Sequence, residues 1–199
     1  MFPPSFWVTL IVFVILTLAV GIPLARRSKA PKEKPEDIGR ALRLMMLTTR
    51  PSKTGDKPTP EFPRIYGVLM DWPLDKQIAT VFATSQGSAS LYTTSTFGIL
   101  GGEGHEAVRN AAKEFVRSAD RHFDSSTATT EFPYPANDRV RFYFLTFGGV
   151  RVIDTDLATI NQRSNPFTGL FGLGQDVLTQ LRLATEERRQ LSSNTTSPP

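Results

Sequence analysis

The most strongly apolar part of the chain lies close to its N-terminus. Residues 6–24 form a run of nineteen residues without a charge, most of them Val, Ile, Leu or Phe. As an α-helix this run would extend over roughly 28 Å, which matches the hydrocarbon core of a bilayer. The pattern therefore predicts one transmembrane helix within residues 1–25. The alternatives are a buried core helix and a cleaved signal peptide, which the lack of a basic residue before the run disfavours.

Residues 36–48 show a second helical pattern. The segment starts with two acidic residues, and its apolar residues then recur three and four positions apart: Ile38, Ala41, Leu42, Met45 and Met46. This spacing predicts a short amphipathic helix with Arg40 and Arg43 on its other faces. Two interpretations stay open, because such a helix either packs on its own domain or lies on a bilayer or in the groove of a partner.

Strand-like and helix-like patterns follow one another in the rest of the chain. Five runs have the length and composition of strands: 65–71, 78–84, 89–94, 140–146 and 150–156. Two segments have helical spacing: 105–123 and about 170–188. The predicted order is βββαββα. Because short turns join the second strand to the third and the fourth to the fifth, we expect an α+β domain with a mainly antiparallel sheet and its helices on one face.

These patterns divide the chain into four parts. Residues 1–25 hold the transmembrane helix with a short tail, and residues 26–61 form a basic juxtamembrane linker whose last part is rich in proline. Residues 62–189 form the globular domain. Residues 190–199 are polar and are predicted to be disordered.

The positive charge of the protein is concentrated beside the apolar run. Residues 26–60 hold ten cations and four acids, a net of +6, whereas residues 61–199 hold thirteen cations and fifteen acids. The predicted contacts with the membrane surface are Arg26, Arg27, Lys29, Lys32 and Lys34. By the positive-inside rule, these cations place the C-terminal domain in the cytoplasm and the N-terminus outside the inner (cytoplasmic) membrane. A nucleic-acid partner is not expected, because the cations lack interleaved aromatic residues.

Composition argues against several kinds of chemistry. The 199 residues include no cysteine, which excludes disulfides, thiolate metal sites and cysteine nucleophiles. The two histidines, His105 and His122, fall about 25 Å apart along one predicted helix, too far to share a metal. Four aspartates fall at predicted strand ends, where carboxylates normally face water: Asp71, Asp75, Asp154 and Asp156. We therefore expect no catalytic residue, no cofactor and no metal.

A glycine-rich loop before the first domain helix is the best candidate for a ligand site. Its glycines are Gly98, Gly101, Gly102 and Gly104. Such a loop can direct backbone N–H groups at an anion. Glu103 and Glu106 oppose a phosphate, however, and the glycine spacing fits neither common nucleotide-binding motif. A tight connection between strand and helix is the main expectation, and a weak anion site is the alternative.

Several aromatic residues are candidates for contacts with other proteins: Phe132, Tyr134, Tyr143, Phe167 and Phe171. Alternatively, they close the core of the domain itself. The sequence as a whole favours a non-catalytic, single-pass membrane protein that acts as an accessory or structural subunit of a larger membrane complex, for example a photosynthetic or respiratory one. The competing hypotheses are a membrane-tethered module that binds an anionic small molecule at the glycine-rich loop, and a hydrolase that uses Asp71, His105 or Asp154.

Overall fold

The structure is a computed structural model that describes residues 35–94, 98–100 and 104–195. Across these residues, no helix combines the length and the apolar character needed to cross a bilayer. The predicted transmembrane run, residues 6–24, lies outside the described residues. So do the five cations that are predicted to contact the membrane surface.

The described residues form one antiparallel sheet with helices on both of its faces. The helices are α1 (Pro35–Thr48), α2 (Pro51–Thr54), α3 (Glu106–Asp120) and α4 (Thr168–Thr195). The strands are β1 (Ile65–Leu74), β2 (Gln77–Thr84), β3 (Ala89–Thr93), β4 (Ile99–Leu100), β5 (Thr127–Thr129), β6 (Arg139–Thr146) and β7 (Gly149–Asp156). Their order across the sheet is β4-β3-β2-β1-β6-β7-β5. The α+β class and the antiparallel sheet are confirmed, and the short edge strands β4 and β5 were not predicted.

Strand β1 is the centre of the sheet. It pairs with β2 on one side and with β6 on the other, so that Val68 lies opposite both Ala83 and Phe144. Residues 65–72 are buried without interruption. A strand that is covered on both faces has a continuous run of apolar residues in its sequence. This is why β1 could be predicted from the sequence.

The first face of the sheet carries α3 and α4. Helix α3 buries the stripe that its sequence predicts: Val108, Ala111, Ala112, Phe115, Val116 and Ala119. Helix α4 passes close to β1 at Gly174, where an added Cβ would lie 2.5 Å from the Cε atom of Met70. Glycine therefore allows the close approach of this helix. Helix α4 continues to Thr195, into the segment for which the sequence predicts disorder.

The second face of the sheet is covered by α1 and by the loop 130–135. A second apolar cluster lies beneath them: Leu47, Tyr66, Leu69, Phe82, Tyr92, Tyr143 and Leu145. The expectation that helices cover only one face is therefore wrong. The physical reason is that β1 and β6 carry large apolar side chains on both faces, and each face must be shielded from water. Helix α1 accordingly packs on its own domain, as one of the two sequence interpretations held.

Candidate functional site

A row of polar residues crosses the second face of the sheet beneath α1. Thr80 on β2 lies opposite Asp71 on β1, and Asp71 lies opposite Arg141 on β6. Arg141 in turn lies opposite Asp154 on β7. We call these four residues the polar row. It brings together side chains from four adjacent strands at positions that are far apart in the sequence.

Asp71 is the buried centre of the polar row, with 0% of its side chain exposed. The sequence placed this residue at a strand end facing water, which is wrong, because β1 continues to Leu74. Odd-numbered positions of β1 from Gly67 onward face α1, so Asp71 points into the interior between helix and sheet. The hydroxyl of Thr80 donates a hydrogen bond to its Oδ1 atom.

Arg43 of α1 is the partner of Asp71 and is itself only 4% exposed. Its Nε and Nη2 atoms donate to Oδ2 of Asp71 at 3.0 and 2.6 Å. Its Nη1 atom donates to the carbonyl oxygen of Phe132 at 2.8 Å. The guanidinium carbon lies 4.2 Å from the ring centroid of Tyr134 and 5.3 Å from that of Tyr143. Arg43 therefore joins α1, β1 and the loop 130–135.

The position of Arg43 corrects the predicted orientation of α1. The apolar spacing places Arg43 away from the buried side, yet within residues 38–48 of the helix the buried residues are Gly39, Arg43 and Leu47. Ala41 and Met45, which belong to the predicted apolar stripe, are exposed. The spacing of apolar residues indicates the buried face of a helix only where that face is occupied by apolar residues. The centre of the buried face of α1 is instead Arg43, which forms an ion pair with Asp71.

The electrostatics of the pair follow from its burial. Burial raises the pKa of Asp71, while the guanidinium of Arg43 and the hydroxyl of Thr80 oppose that rise. Burial also lowers the pKa of Arg43, but the carboxylate of Asp71 outweighs it, so the net shift of this pKa is upward. The carboxylate of Asp71 is thus held in place by hydrogen bonds from Arg43 and Thr80. The geometry is that of a structural clamp.

The outer half of the polar row fixes the loop 130–135. Arg141 donates from Nε to Oδ2 of Asp154 at 2.7 Å and from Nη1 to the carbonyl oxygen of Pro133 at 3.0 Å. The hydroxyl of Tyr143 donates to the same carbonyl at 2.7 Å. Arg139 is a second partner of Asp154. The side chains of Arg141 and Tyr143 on β6 and the guanidinium of Arg43 thus hold this loop against the sheet.

An open groove of about 870 Å³ lies beside the C-terminal end of α1. Its apolar lining includes Leu47, Tyr66, Phe132 and Phe147, and threonine side chains of α1, β5 and β6 line it as well. The hydroxyl of Tyr66 donates to the carbonyl oxygen of Thr49 at 3.0 Å. The groove therefore lies where the C-terminal end of α1 meets the sheet.

The glycine-rich loop is described only in part. Gly101 and Gly102 lie outside the described residues. At Gly98, an added Cβ would lie 1.5 Å from the carbonyl oxygen of Leu91, so the chain passes directly against β3. At Gly104, no atom lies within 4 Å of an added Cβ. Glycine is required at position 98 by packing alone, while the tight connection between strand and helix stays a prediction.

The two histidines have separate surroundings. His105 precedes the first turn of α3, and its Nδ1 atom lies 3.7 Å from Oε2 of Glu187. His122 packs against Phe167, with 5.3 Å between the ring centroids. Burial, followed by the charge of Arg121, lowers the pKa of His122. Within residues 35–94, 98–100 and 104–195, no three His, Cys, Asp or Glu side chains are grouped so that they could hold a metal ion.

The aromatic residues proposed as partner contacts contribute to the cores of the domain. Tyr143 and Phe171 are buried, the first beneath α1 and the second against Trp72 on the opposite face. Phe132 meets the ring of Tyr143 edge-on at 5.9 Å. Tyr134 lies under Arg43, and Phe167 packs against the first core. Tyr143 and Phe171 are therefore not available to a partner in this fold, while Phe132, Tyr134 and Phe167 remain half-buried.

Sequence reasoning missed the clamp, although two signals were present. Asp71 is the single acid in an otherwise apolar run of strand length. Gly39, Arg43 and Leu47 recur every four residues along α1, which is the spacing of one helical face. Neither signal is specific by itself, because their connection depends on the docking of α1 and on the register of β1 with β2 and β6.

Together these contacts define an α+β domain in which helix α1 is clamped onto an antiparallel sheet. Comparisons of the chain with protein-family models, with curated proteins and with solved structures found no match.

Proposed function

We propose that this chain is a non-catalytic, single-pass membrane protein whose α+β domain serves as an accessory or structural subunit of a larger membrane complex. The observation that carries the proposal is the position of α1. This docked helix begins at Pro35, only ten residues after the apolar run 6–24 ends. A fully extended connection of that length reaches at most about 35 Å. An anchor in the run would therefore keep the domain close to the membrane surface.

The use of buried polar groups supports a structural role. Asp71 accepts hydrogen bonds from Arg43 and Thr80, and Asp154 is held between two arginines. Among the described residues, Nε2 of Gln175 is the one buried side-chain N or O atom without a hydrogen-bond partner. Charged groups of the kind that a catalytic site would use for proton transfer are engaged here in joining α1 to the sheet and β6 to β7.

The proposed topology follows from the charge of the sequence. Arg26, Arg27, Lys29, Lys32 and Lys34 follow the apolar run, and no charged side chain precedes it. By the positive-inside rule, the domain then lies on the cytoplasmic side of the inner membrane and the N-terminus lies outside. The alternative function, binding of an anionic small molecule at the glycine-rich loop, is disfavoured by the packing of Gly98 against β3.

The test is gentle detergent extraction of the protein from its own membranes, followed by size separation and mass spectrometry. We expect the 22.1 kDa chain to comigrate with a defined set of membrane subunits. A charge at the centre of the run costs about 2.5–3.5 kcal/mol of insertion free energy. Ile15→Lys should therefore weaken both membrane retention and comigration, whereas the matched control Ile15→Val should not. Migration as a free monomer or dimer would overturn the subunit role.

A further inference from the structure

Helix α1 presents an outward side that its docking does not use. Docking uses the side that carries Gly39, Arg43 and Leu47. The opposite side, which we call the outer face of α1, consists of Arg40, Ala41, Leu44, Met45 and Thr48, all of them exposed. Leu44 and Met45 are each 48% exposed and adjacent in the chain. The hydroxyl of Thr48 donates to the carbonyl oxygen of Leu44 at 2.8 Å, so its polar atom is already satisfied.

Exposed cations lie on the outer face and directly after α1. Arg40 belongs to the outer face, and Arg50 and Lys53 follow the helix in the chain and are exposed. None of these three cations forms an ion pair with a described residue, in contrast to Arg43. Residues 61–199 carry a small net negative charge instead. An anionic surface would therefore attract this end of the domain and repel the remainder.

We propose that the outer face of α1 binds an anionic lipid surface; this inference rests on the membrane anchoring proposed above. An amphipathic helix with Leu and Met on one side and arginine beside them is typical of helices that lie in the headgroup region of a bilayer. Leu44 and Met45 alone would bind weakly. Because the anchor would hold them near the bilayer, their binding becomes an intramolecular event with a high effective concentration.

The two faces of α1 would then have different roles. A rigid clamp on the inner side fixes the helix to the sheet through Arg43 and Asp71. Binding of the outer side to lipid would then set the orientation of the whole sheet relative to the membrane. A flexible linker between anchor and domain would leave that orientation undefined.

The experiment uses the full chain, which has no cysteine and can therefore be labelled at a single introduced one. Met45→Cys tests the outer face, and Leu183→Cys on α4 is the matched control, since the two positions are 48% and 52% exposed. Each variant carries an environment-sensitive fluorophore in phosphatidylcholine vesicles with or without about 30% phosphatidylglycerol. Nitroxide-labelled lipid serves as the quencher, and carbonate extraction of the same sample reports membrane retention.

We expect stronger quenching at position 45 than at position 183, with the difference enlarged by phosphatidylglycerol. Arg40→Gln should lower the docking equilibrium about fivefold, the effect of one cation near an anionic surface. Equal quenching at both positions, in a chain that resists carbonate, would overturn the lipid contact but leave the anchor intact. Release by carbonate would overturn the anchor instead. If position 45 is shielded from an aqueous quencher in native membranes but not in lipid vesicles, the outer face binds a protein. That result would overturn the lipid contact.

Discussion

Removal of one partner from the Arg43–Asp71 pair is the most direct test of the clamp. In Asp71→Asn the side chain keeps its shape but loses its charge, which leaves the guanidinium of Arg43 buried without an anion. In Arg43→Met the apolar stem is kept, and the carboxylate of Asp71 retains the hydroxyl of Thr80 but loses its cationic partner. Both variants should unfold more easily than the wild type.

The expected magnitude follows from the contacts. Arg43 donates two hydrogen bonds to Asp71 and one to the carbonyl of Phe132, at distances from 2.6 to 3.0 Å. Each charged hydrogen bond contributes about 1.5–3 kcal/mol, and removal of one partner from a buried pair costs about 3–5 kcal/mol overall. Because the whole stability of a domain is about 5–15 kcal/mol, we expect each single variant to lose a large fraction of the free energy of unfolding.

The assay is urea unfolding of the full chain in detergent, followed by tryptophan fluorescence, since the buried Trp72 is next to Asp71 in β1. The matched control is Arg139→Met, because Arg139 and Asp154 are both part-exposed and Asp154 keeps Arg141 as a partner. The control should lose less than about 1 kcal/mol. The double variant Arg43→Met/Asp71→Asn should be about 2 kcal/mol more stable than the sum of the single effects, because no unpaired charge remains. A loss for Asp71→Asn as small as that of the control would refute the clamp.

Three further predictions concern pH and packing. Burial, followed by the charge of Asp56, raises the pKa of Tyr66 to about 12, so the phenolate absorbance of this residue in the folded protein should appear near pH 12. The stability that protonated Tyr66 contributes is complete below its unfolded pKa of 10.0 and should be lost as the pH rises from 10.0 to about 12. Titration of Tyr66 near pH 10 in the folded protein would contradict this. Burial lowers the pKa of His122, so protonation of this residue opposes folding, and the free energy of unfolding should fall as the pH drops below 6.5. His122→Gln should reduce this pH dependence. An unchanged slope of the free energy of unfolding against pH in that variant would exclude His122 as its origin. Gly98→Ala should lower the free energy of unfolding by about 1–3 kcal/mol, because the added Cβ meets β3. The control Gly104→Ala places its Cβ in open space and should change the free energy of unfolding by less than about 0.5 kcal/mol. Equal losses for the two variants in thermal unfolding would contradict the contact at Gly98.

The parts of the fold that sequence reasoning predicted are those in which apolar residues alone determine burial. The run 65–71 is apolar because β1 is covered on both faces, and the stripe of α3 is apolar because one of its faces packs on the sheet. Local patterns of this kind persist in the sequence whatever the tertiary contacts are.

The parts that were missed depend on contacts between distant residues. Arg43 is polar, and the apolar periodicity therefore predicts that it lies on an outer face of α1. It is buried because it donates hydrogen bonds to Asp71, 28 positions later in the chain. The short strands β4 and β5 carry too few residues for a pattern. Helix α4 continues through the polar residues 190–195, which carry no apolar stripe from which a helix could be predicted.

The two edges of the sheet bear on how the domain meets its neighbours. Strand β4 has two residues and β5 has three, so these two described edge strands themselves offer only a few unpaired backbone N–H and C=O groups. Strand β5 pairs only with residues 150–152 of β7. A long, flat edge would invite another chain to add a strand, and very short edge strands are one of the ways in which proteins prevent this. The short edge strands therefore limit strand pairing between copies of this domain. Specific recognition of the domain would fall to side chains on its helices and loops, where single substitutions can strengthen or weaken one contact without opening the sheet.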